Sequence, residues 1–258
     1  MHLNKNLVLL SGDASFRKFY RKKKSIVIYS SKEKKINLLI YDAINKTFIK
    51  NKIIAPKLLK QNYKKNFIEV QDFGNSTIFD LIKKRKNRLI YYKKIISLLC
   101  KIQKIKNRKV NTFLNSTYKI PVYTKNKLLN EAYLFLKWYL PMKKNKKKQE
   151  KIKKEFLNVF ENLLKKVKGN NITFVHRDFH VSNLMKFKNN IAVIDSQDAV
   201  YGNNAYDLAS LIDDVRIKTS LIEKKKILNF YLMKNKKIDV SNFKNDFKIL
   251  SVLRNFKI

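Results

Sequence analysis

Three polar side chains stand at spacings that suit chemistry at a phosphate. The segment Phe174-Val175-His176-Arg177-Asp178-Phe179-His180-Val181-Ser182-Asn183-Leu184-Met185 contains the pattern H-R-D-x-x-x-x-N. An aspartate at position 178 could orient an acceptor hydroxyl and accept its proton. Asn183, five residues on, could turn back to hold a magnesium ion through its amide oxygen. A second apolar run, Ile191–Ile194, delivers Asp195, whose carboxylate could bridge magnesium to the β- and γ-phosphates of a nucleotide. Asp195 lies 17 residues after Asp178, enough for a strand, a turn at Lys188–Asn190 and a returning strand. An isolated aspartate after an apolar strand is often only a helix cap. Two such segments in this order and at this separation point to phosphoryl transfer.

Other constellations are weaker. His176 and His180 are four apart, as in H-E-x-x-H. Arg177 stands where that motif needs its glutamate, and the only other histidine is His2, so zinc is not expected. His176 reads as a buried scaffold residue of the loop. The segment Leu10–Arg21 reads as a hairpin over phosphates. Gly12 and Ser15 would let backbone N–H groups and a hydroxyl approach, beside Phe16, and Arg17 and Arg21 would add charge. A plain β-turn at Ser11-Gly12-Asp13 is its alternative. Asp72-Phe73-Gly74 spells the magnesium-loop triplet of protein kinases, but about a hundred residues too early. Glu69–Gly74 is read instead as a hinge, with Glu69 and Gln71 beside adenine.

The elements expected around these residues fall into two parts. Short strands at Phe19–Arg21 and Ser25–Ser30 precede a helix from Lys32 to about Lys50, with apolar residues at Ile36, Leu39, Ile40, Ala43, Ile44 and Phe48. Strands at Lys57–Lys60 and Phe67–Gln71 follow. From Gly74 helical periodicity dominates, at Thr77–Lys84, Leu89–Ile105, Lys125–Leu140 and Lys146–Val167. Strand signals return only at Ile172–Val175, Leu184–Phe187 and Ile191–Ile194, and helices resume from Asn204. This predicts an α+β fold with a β-rich domain at 1–74 and a helical domain at 75–258. The last apolar helix runs to the final residue without a stop signal, so the chain is expected to be either naturally short there or incomplete.

The formal net charge is +40, from 59 basic and 19 acidic residues. Such a balance would suit nucleic acid or an anionic membrane. Yet arginine supplies only eight of the basic residues, and Asn, Ile, Phe and Tyr are abundant while Gly totals 4 and Pro 3. That is the imprint of AT-rich codons, so no specific nucleic-acid partner is expected. The single cysteine, Cys100, excludes an intrachain disulfide and reads as a buried thiol on a core helix. No apolar run approaches the ~18 residues of a membrane span, and Leu7–Leu10 is too short for a signal-peptide core, so a soluble cytoplasmic chain is expected.

With these strings in place, the chain resembles kinases of the aminoglycoside-phosphotransferase type, and more narrowly the anomeric N-acetylmuramate/N-acetylglucosamine kinases. The resemblance rests on Gly12–Arg21, on Glu131 with Leu134-Phe135 and Trp138, on His176–Met185, on Ile194–Gly202 and on Tyr206–Leu211. It implies a bilobal protein-kinase-like fold, ATP and magnesium as cofactors, and transfer of the γ-phosphoryl group to the anomeric hydroxyl of an amino sugar in cell-wall recycling. It implies Asp178 as base, Asn183 and Asp195 as magnesium ligands, and Glu131, Trp138 and Asp198 as sugar-pocket residues. A surface charge, a core aromatic and a helix cap are the respective alternatives for these last three. Asp207 would brace the catalytic loop, together with His176 and Arg177. A monomer is expected. The chain departs from the pattern in two places. No lysine lies within Ser25–Ser30, leaving Lys24, Arg17 or Arg21 to grip phosphates, and Ser196 stands where relatives carry an aromatic. A kinase for another small hydroxyl compound, such as an amino alcohol or an aminoglycoside, and a non-catalytic nucleotide-binding module are the competing readings.

Overall fold

The computed structural model describes residues 7–10, 16–85, 87–142 and 146–256. In chain order, β1 (Val8–Leu10), β2 (Arg17–Lys22) and β3 (Ser25–Ser30) lead to α1 (Ile36–Lys50), β4 (Leu58–Asn62) and β5 (Phe67–Gln71). Next come α2 (Ile78–Lys83), α3 (Leu89–Ile102) and the short strands β6 (Lys109–Asn111) and β7 (Thr117–Lys119). α4 (Lys125–Tyr139) and α5 (Lys146–Lys165) precede β8 (Thr173–Val175), β9 (Leu184–Phe187), β10 (Asn190–Val193) and β11 (Val200–Gly202). α6 (Ala205–Ile212), α7 (Leu221–Lys234) and α8 (Val240–Asn255) follow. The fold is α+β and protein-kinase-like.

The chain divides into two compact units, each discontinuous in sequence. One takes Met1–Lys86, Asn107–Ile120 and Val181–Ala199; the other takes Asn87–Lys106, Pro121–His180 and Val200–Ile258.

The first unit is built on an antiparallel sheet in the order β1-β2-β3-β5-β4. β5 alternates buried and half-buried positions, with Ile68 and Val70 pointing one way, as a half-buried strand must. These two close on Ile28 of β3 and on Leu38 and Tyr41 of α1. Each fully buried side chain of this size is worth roughly 1.5–3 kcal/mol relative to exposure. Ahead of α1, Lys32–Lys34 form a 3-10 turn rather than the first turn of the expected helix. The β9–β10 hairpin belongs to this unit. Val193 N–H donates to the Ile54 carbonyl and Lys186 N–H to the Ser76 carbonyl, both at 2.8 Å. Phe73 packs edge-on against Phe187 at 4.9 Å and joins Met185 and Ala192 in a small core.

Four strands were not expected. β1 lies in a run too short to show alternation. β6 and β7 pair antiparallel, Val110 opposite Tyr118, but only one of their six residues is buried. Their hairpin is held by its turn: Thr112 N–H donates to the Ser116 carbonyl at 2.9 Å, and Asn115 adopts a left-handed conformation at φ 58°. Asparagine tolerates that region well. β11 pairs with β8, Val200 opposite Val175, in the second unit.

In the second unit α3 packs on α7, α6 on α8 and α4 on α5. Asp246 of α8 accepts from the backbone N–H groups of Lys168 (2.9 Å) and Gly169 (2.7 Å), which fixes the approach to β8. Cys100 is half-buried rather than buried; burial pushes its thiol up, so it stays a weak nucleophile. Among the described residues no helix is long and apolar enough to cross a membrane.

Candidate functional site

The first unit carries a cleft of about 730 Å³. Phe16, Arg17 and Arg21 line it from the β2 side, Gln71 from the end of β5, and Asn183, Asp195 and Asp198 from the segments flanking the β9–β10 hairpin. Seven of the expected site residues therefore share one cavity. Gly12 and Ser15 lie outside the described residues. Glu69 is placed elsewhere, its carboxylate accepting from Ser25 Oγ at 2.6 Å with Lys22 Nζ at 3.6 Å. Strand alternation turns it away from Val70, which faces the cleft.

Asp195 follows β10 with φ 60°, in the left-handed region that non-glycine residues enter rarely. Two hydrogen bonds hold it there. Ile194 N–H donates to the Asn183 carbonyl at 3.1 Å, tying the two oxygen-donor residues together. Ser196, fully buried, donates its hydroxyl to Asn45 Oδ1 of α1 at 2.6 Å. The small serine is thus a hydrogen-bonded anchor. Asn45 was missed in the sequence, although a polar residue between Tyr41 and Phe48 on the apolar face of a helix was a visible signal.

Arg17 and Arg21 lie four apart on β2 and on the same face, but do different work. Arg17 Nη2 donates to Asp195 Oδ1 at 2.8 Å, with the arginine side chain 7% exposed and the aspartate 34%. Its guanidinium also lies 5.6 Å from the Phe16 ring and 5.4 Å from that of Phe19. Arg21 grips Asp72 through Nε (2.6 Å) and Nη2 (3.1 Å), and donates to the Gly74 carbonyl at 3.0 Å. This bidentate, charge-assisted clamp uses the fork of Arg21 to fix residues 72–75, where Gly74 takes φ 84°. Asp72, Phe73 and Gly74 line the same cleft, with the triplet fixed by the Arg21 clamp.

Among the described residues no group of three or more His, Cys, Asp or Glu is arranged to hold a metal. The Asn183 amide and Asp195 carboxylate are hard oxygen donors in one cleft. That set fits magnesium, which commonly takes one or two carboxylates and completes its shell with phosphates and water.

In the second unit, Asp207 at the start of α6 accepts from the backbone N–H groups of His176 (2.7 Å) and Arg177 (3.0 Å). Burial pushes its carboxyl up to about 7 against these two bonds. His176 is fully buried and Arg177 has φ 74°. The Arg177 guanidinium forms an ion pair with Glu131 and lies 5.1 Å from the Tyr123 ring; the Tyr123 hydroxyl donates to the same Glu131 carboxylate. Glu131 thus sits inside a protein network. Trp138 is 70% exposed on α4. The Asp178 carboxylate, its side chain 21% exposed, lies 3.7 Å from Arg254 Nη2. Arg254 was also missed, though a charge four residues after Leu250 on an apolar helix is a departure from pattern.

His180 is 6% exposed and its ring is held down to about 4, by burial first and then by Arg216, against the pull of Asp214 and Asp178. A histidine lowered on folding stabilises above its unfolded value of 6.5 and loses that contribution as pH falls towards 4. The stability of the native chain minus that of His180→Gln should therefore rise by roughly 3 kcal/mol between pH about 4 and 6.5. Urea unfolding of both proteins across that range measures it; a flat difference would show that His180 does not titrate on unfolding.

Comparison with known proteins places these features. The chain is 26% identical over 220 residues to an N-acetylmuramate/N-acetylglucosamine kinase of Neisseria meningitidis serogroup B, covering 83% of this chain and 63% of that protein. It is 28% identical over 212 residues to the protein of the same name from Pseudomonas putida, covering 81% and 60%. The chain thus spans less than two thirds of the length of either relative. Among solved structures it is similar to an ADP-bound aminoglycoside phosphotransferase, APH(2'')-Ib, with TM-score 0.60 and 15% identity over 100% of this chain and 96% of that one. It is also similar to the choline kinase LicA of Streptococcus pneumoniae, with TM-score 0.64 and 13% identity over 95% and 83%. Both are likenesses of fold. The model of the phosphotransferase enzyme family, APH, matches residues 72–232, a stretch that holds the whole H-R-D-x-x-x-x-N segment together with Asp195 and Asp207, and the chain belongs to that family.

Proposed function

We propose that this chain is a magnesium- and ATP-dependent small-molecule kinase that phosphorylates the anomeric hydroxyl of N-acetylmuramate or N-acetylglucosamine, in cell-wall sugar recycling in the cytoplasm. One observation carries the reading: Arg17, Asn183 and Asp195 line the same cleft, so a phosphate-binding cation and two magnesium-type oxygen donors share one volume. The relatives named above support the choice of sugar.

In this reading Asn183 and Asp195 hold magnesium, which when bound neutralises charge on the β- and γ-phosphates. Arg17 is the phosphate-gripping cation in place of the absent strand lysine, because Arg21 is spent on Asp72 and Gly74. Gln71, at the end of β5, faces adenine from the hinge. Asp178 orients the acceptor hydroxyl and takes its proton as the new O–P bond forms and ADP leaves. Trp138 offers an exposed ring to a sugar face, and Asp198 a carboxylate to a sugar hydroxyl. Glu131 acts through Arg177 rather than on the sugar. Most of the catalysis is positioning and charge neutralisation.

A second reading is favoured by the Arg17–Asp195 ion pair: a nucleotide-binding module whose metal ligand is held by its own arginine and which does not turn over. Incubation with magnesium-ATP and a panel of amino sugars, amino alcohols and aminoglycosides, with 31P and 1H NMR of the products, separates the two. A sugar 1-phosphate is the expected product. Phosphorylation of an amino alcohol alone would replace the substrate, and nucleotide-dependent stabilisation without any product would favour the silent module.

A further inference from the structure

Arg254 sits on α8, far along the chain from the catalytic-loop segment, and its guanidinium is almost wholly withdrawn from solvent. Its side chain is 4% exposed, against 21% for the Asp178 side chain it faces. Nε donates to Ser210 Oγ of α6 at 2.7 Å, inside the protein. Nη2 stands 3.7 Å from Asp178 Oδ1, beyond hydrogen-bond length but close enough for strong attraction in a poorly solvated place. A buried guanidinium is costly unless opposite charge compensates it. Here the compensating charges are the carboxylate assigned above as the proton acceptor and the buried Asp207, whose carboxyl Arg254 also draws down.

The neighbouring cations are committed elsewhere. Arg177 pairs with Glu131, and Arg216 donates to Asp214 at 3.0 Å. Asp207 adds a second buried carboxyl close to Asp178, so two acids repel each other across a small distance. Among the described residues, the groups facing Asp178 include Arg254 from α8, Asp207 and Tyr206 from α6, and His180 from its own loop.

We propose that Arg254 is a positioning residue for phosphoryl transfer: anchored by Ser210, it holds the Asp178 carboxylate from behind and keeps it charged and aimed outward. This rests on Asp178 being the acceptor of the hydroxyl proton. The Arg254 side chain is 4% exposed and approaches one oxygen of a carboxylate that is itself 21% exposed, so Arg254 would act on the reaction through Asp178 rather than on the substrate. Lysine at 254 would keep the charge but lose the Nε anchor.

The test compares the native chain with Arg254→Met, Arg254→Lys and Ser210→Ala, following kcat and KM from pH 5 to 9 with magnesium-ATP and N-acetylglucosamine. In Arg254→Met the expected result is a kcat at least ~10-fold lower at pH 7, KM for ATP within about twofold, and the acid limb of the kcat profile displaced upward by about one pH unit. Arg254→Lys should recover most of the charge effect and so most of the displacement. Ser210→Ala keeps the cation but frees it, and should lower kcat several-fold; it serves if the methionine variant does not fold. A folded methionine variant with the native pH profile, or a lysine variant no better than methionine, overturns the proposal. Asp178→Asn separates this inference from the reading beneath it. If that variant keeps native turnover the base assignment falls, and 13C NMR titration of the Asp178 carboxyl then decides. A carboxyl titrating at higher pH in Arg254→Met upholds the Arg254 contact, and an unchanged titration overturns it.

Discussion

Asp178→Ala should lower kcat by at least ~100-fold while leaving ATP affinity within a few-fold of native, because a positioned general base contributes about 10²–10⁴ to the chemical step and nothing to nucleotide binding. The structure sets how clean this experiment will be. Asp178 belongs to the second unit, with His176, Arg177 and Asp207, whereas every residue lining the cleft proposed for the nucleotide belongs to the first. The substitution leaves that cleft chemically intact. It does remove the carboxylate that faces the buried Arg254, so some loss of stability is expected alongside the loss of rate. Asp178→Asn limits that loss by keeping the shape and one oxygen, and should be nearly as inactive. Rapid-quench measurement of the first turnover, with nucleotide affinity from a separate titration, reads both quantities. Native-like turnover in either folded variant removes Asp178 from the chemistry.

The fold was legible in the sequence wherever local pattern and global packing agree. Ile68 and Val70 alternate in β5, the apolar stripe of α1 falls at helical spacing, and the β9–β10 hairpin is bracketed by apolar runs and a polar turn. The α+β class followed from that order of elements, and the protein-kinase-like fold from the family resemblance of the motifs. What escaped was held by single interactions rather than by pattern. β6 and β7 depend on a turn at Thr112–Ser116 and on Asn115 in a left-handed conformation, and neither three-residue strand has an apolar face to read. Residues of the candidate site divide the same way. Asp178, Asn183 and Asp195 were visible because close spacing within one segment, or between two neighbouring strands, constrains where side chains can go. Arg254 and Asn45 act across 76 and 151 residues, on Asp178 and Ser196, and only as polar interruptions of apolar helix faces did they show. The use of Arg21 was beyond reach altogether. Nothing in β2 tells Arg21 from Arg17; what distinguishes them is which acid each one meets, Asp72 or Asp195.

That difference makes Asp195 the second position of large expected effect. Its carboxylate is paired with Arg17, and the proposed function asks the same carboxylate to hold magnesium. The two demands are compatible only if the nucleotide brings its own compensation: phosphate oxygens take the guanidinium while the ion takes the carboxylate. Asp195→Ala removes the carboxylate on which both sides of that exchange depend, as partner of Arg17 and as ligand of the ion. Native protein at a nucleotide concentration about 100 times Kd should gain roughly 2.7 kcal/mol, and at about 2–4 °C per kcal/mol its Tm should rise by roughly 5–10 °C. The alanine variant should lose most of that gain and at least ~100-fold in kcat/KM. Its nucleotide-free Tm will also be lower. Arg17 loses its ion pair at a cost on the order of 1–2 kcal/mol, and alanine tolerates φ 60° less well than aspartate. The informative quantity is therefore the shift produced by magnesium-ATP relative to each variant's own starting Tm, not the Tm itself. Asp195→Asn supplies the control, since it tolerates the same backbone conformation and keeps an oxygen, and should lie between the two. A full magnesium-ATP shift in Asp195→Ala would mean that the nucleotide is held without this carboxylate, and the ion pair with Arg17 would then be structural.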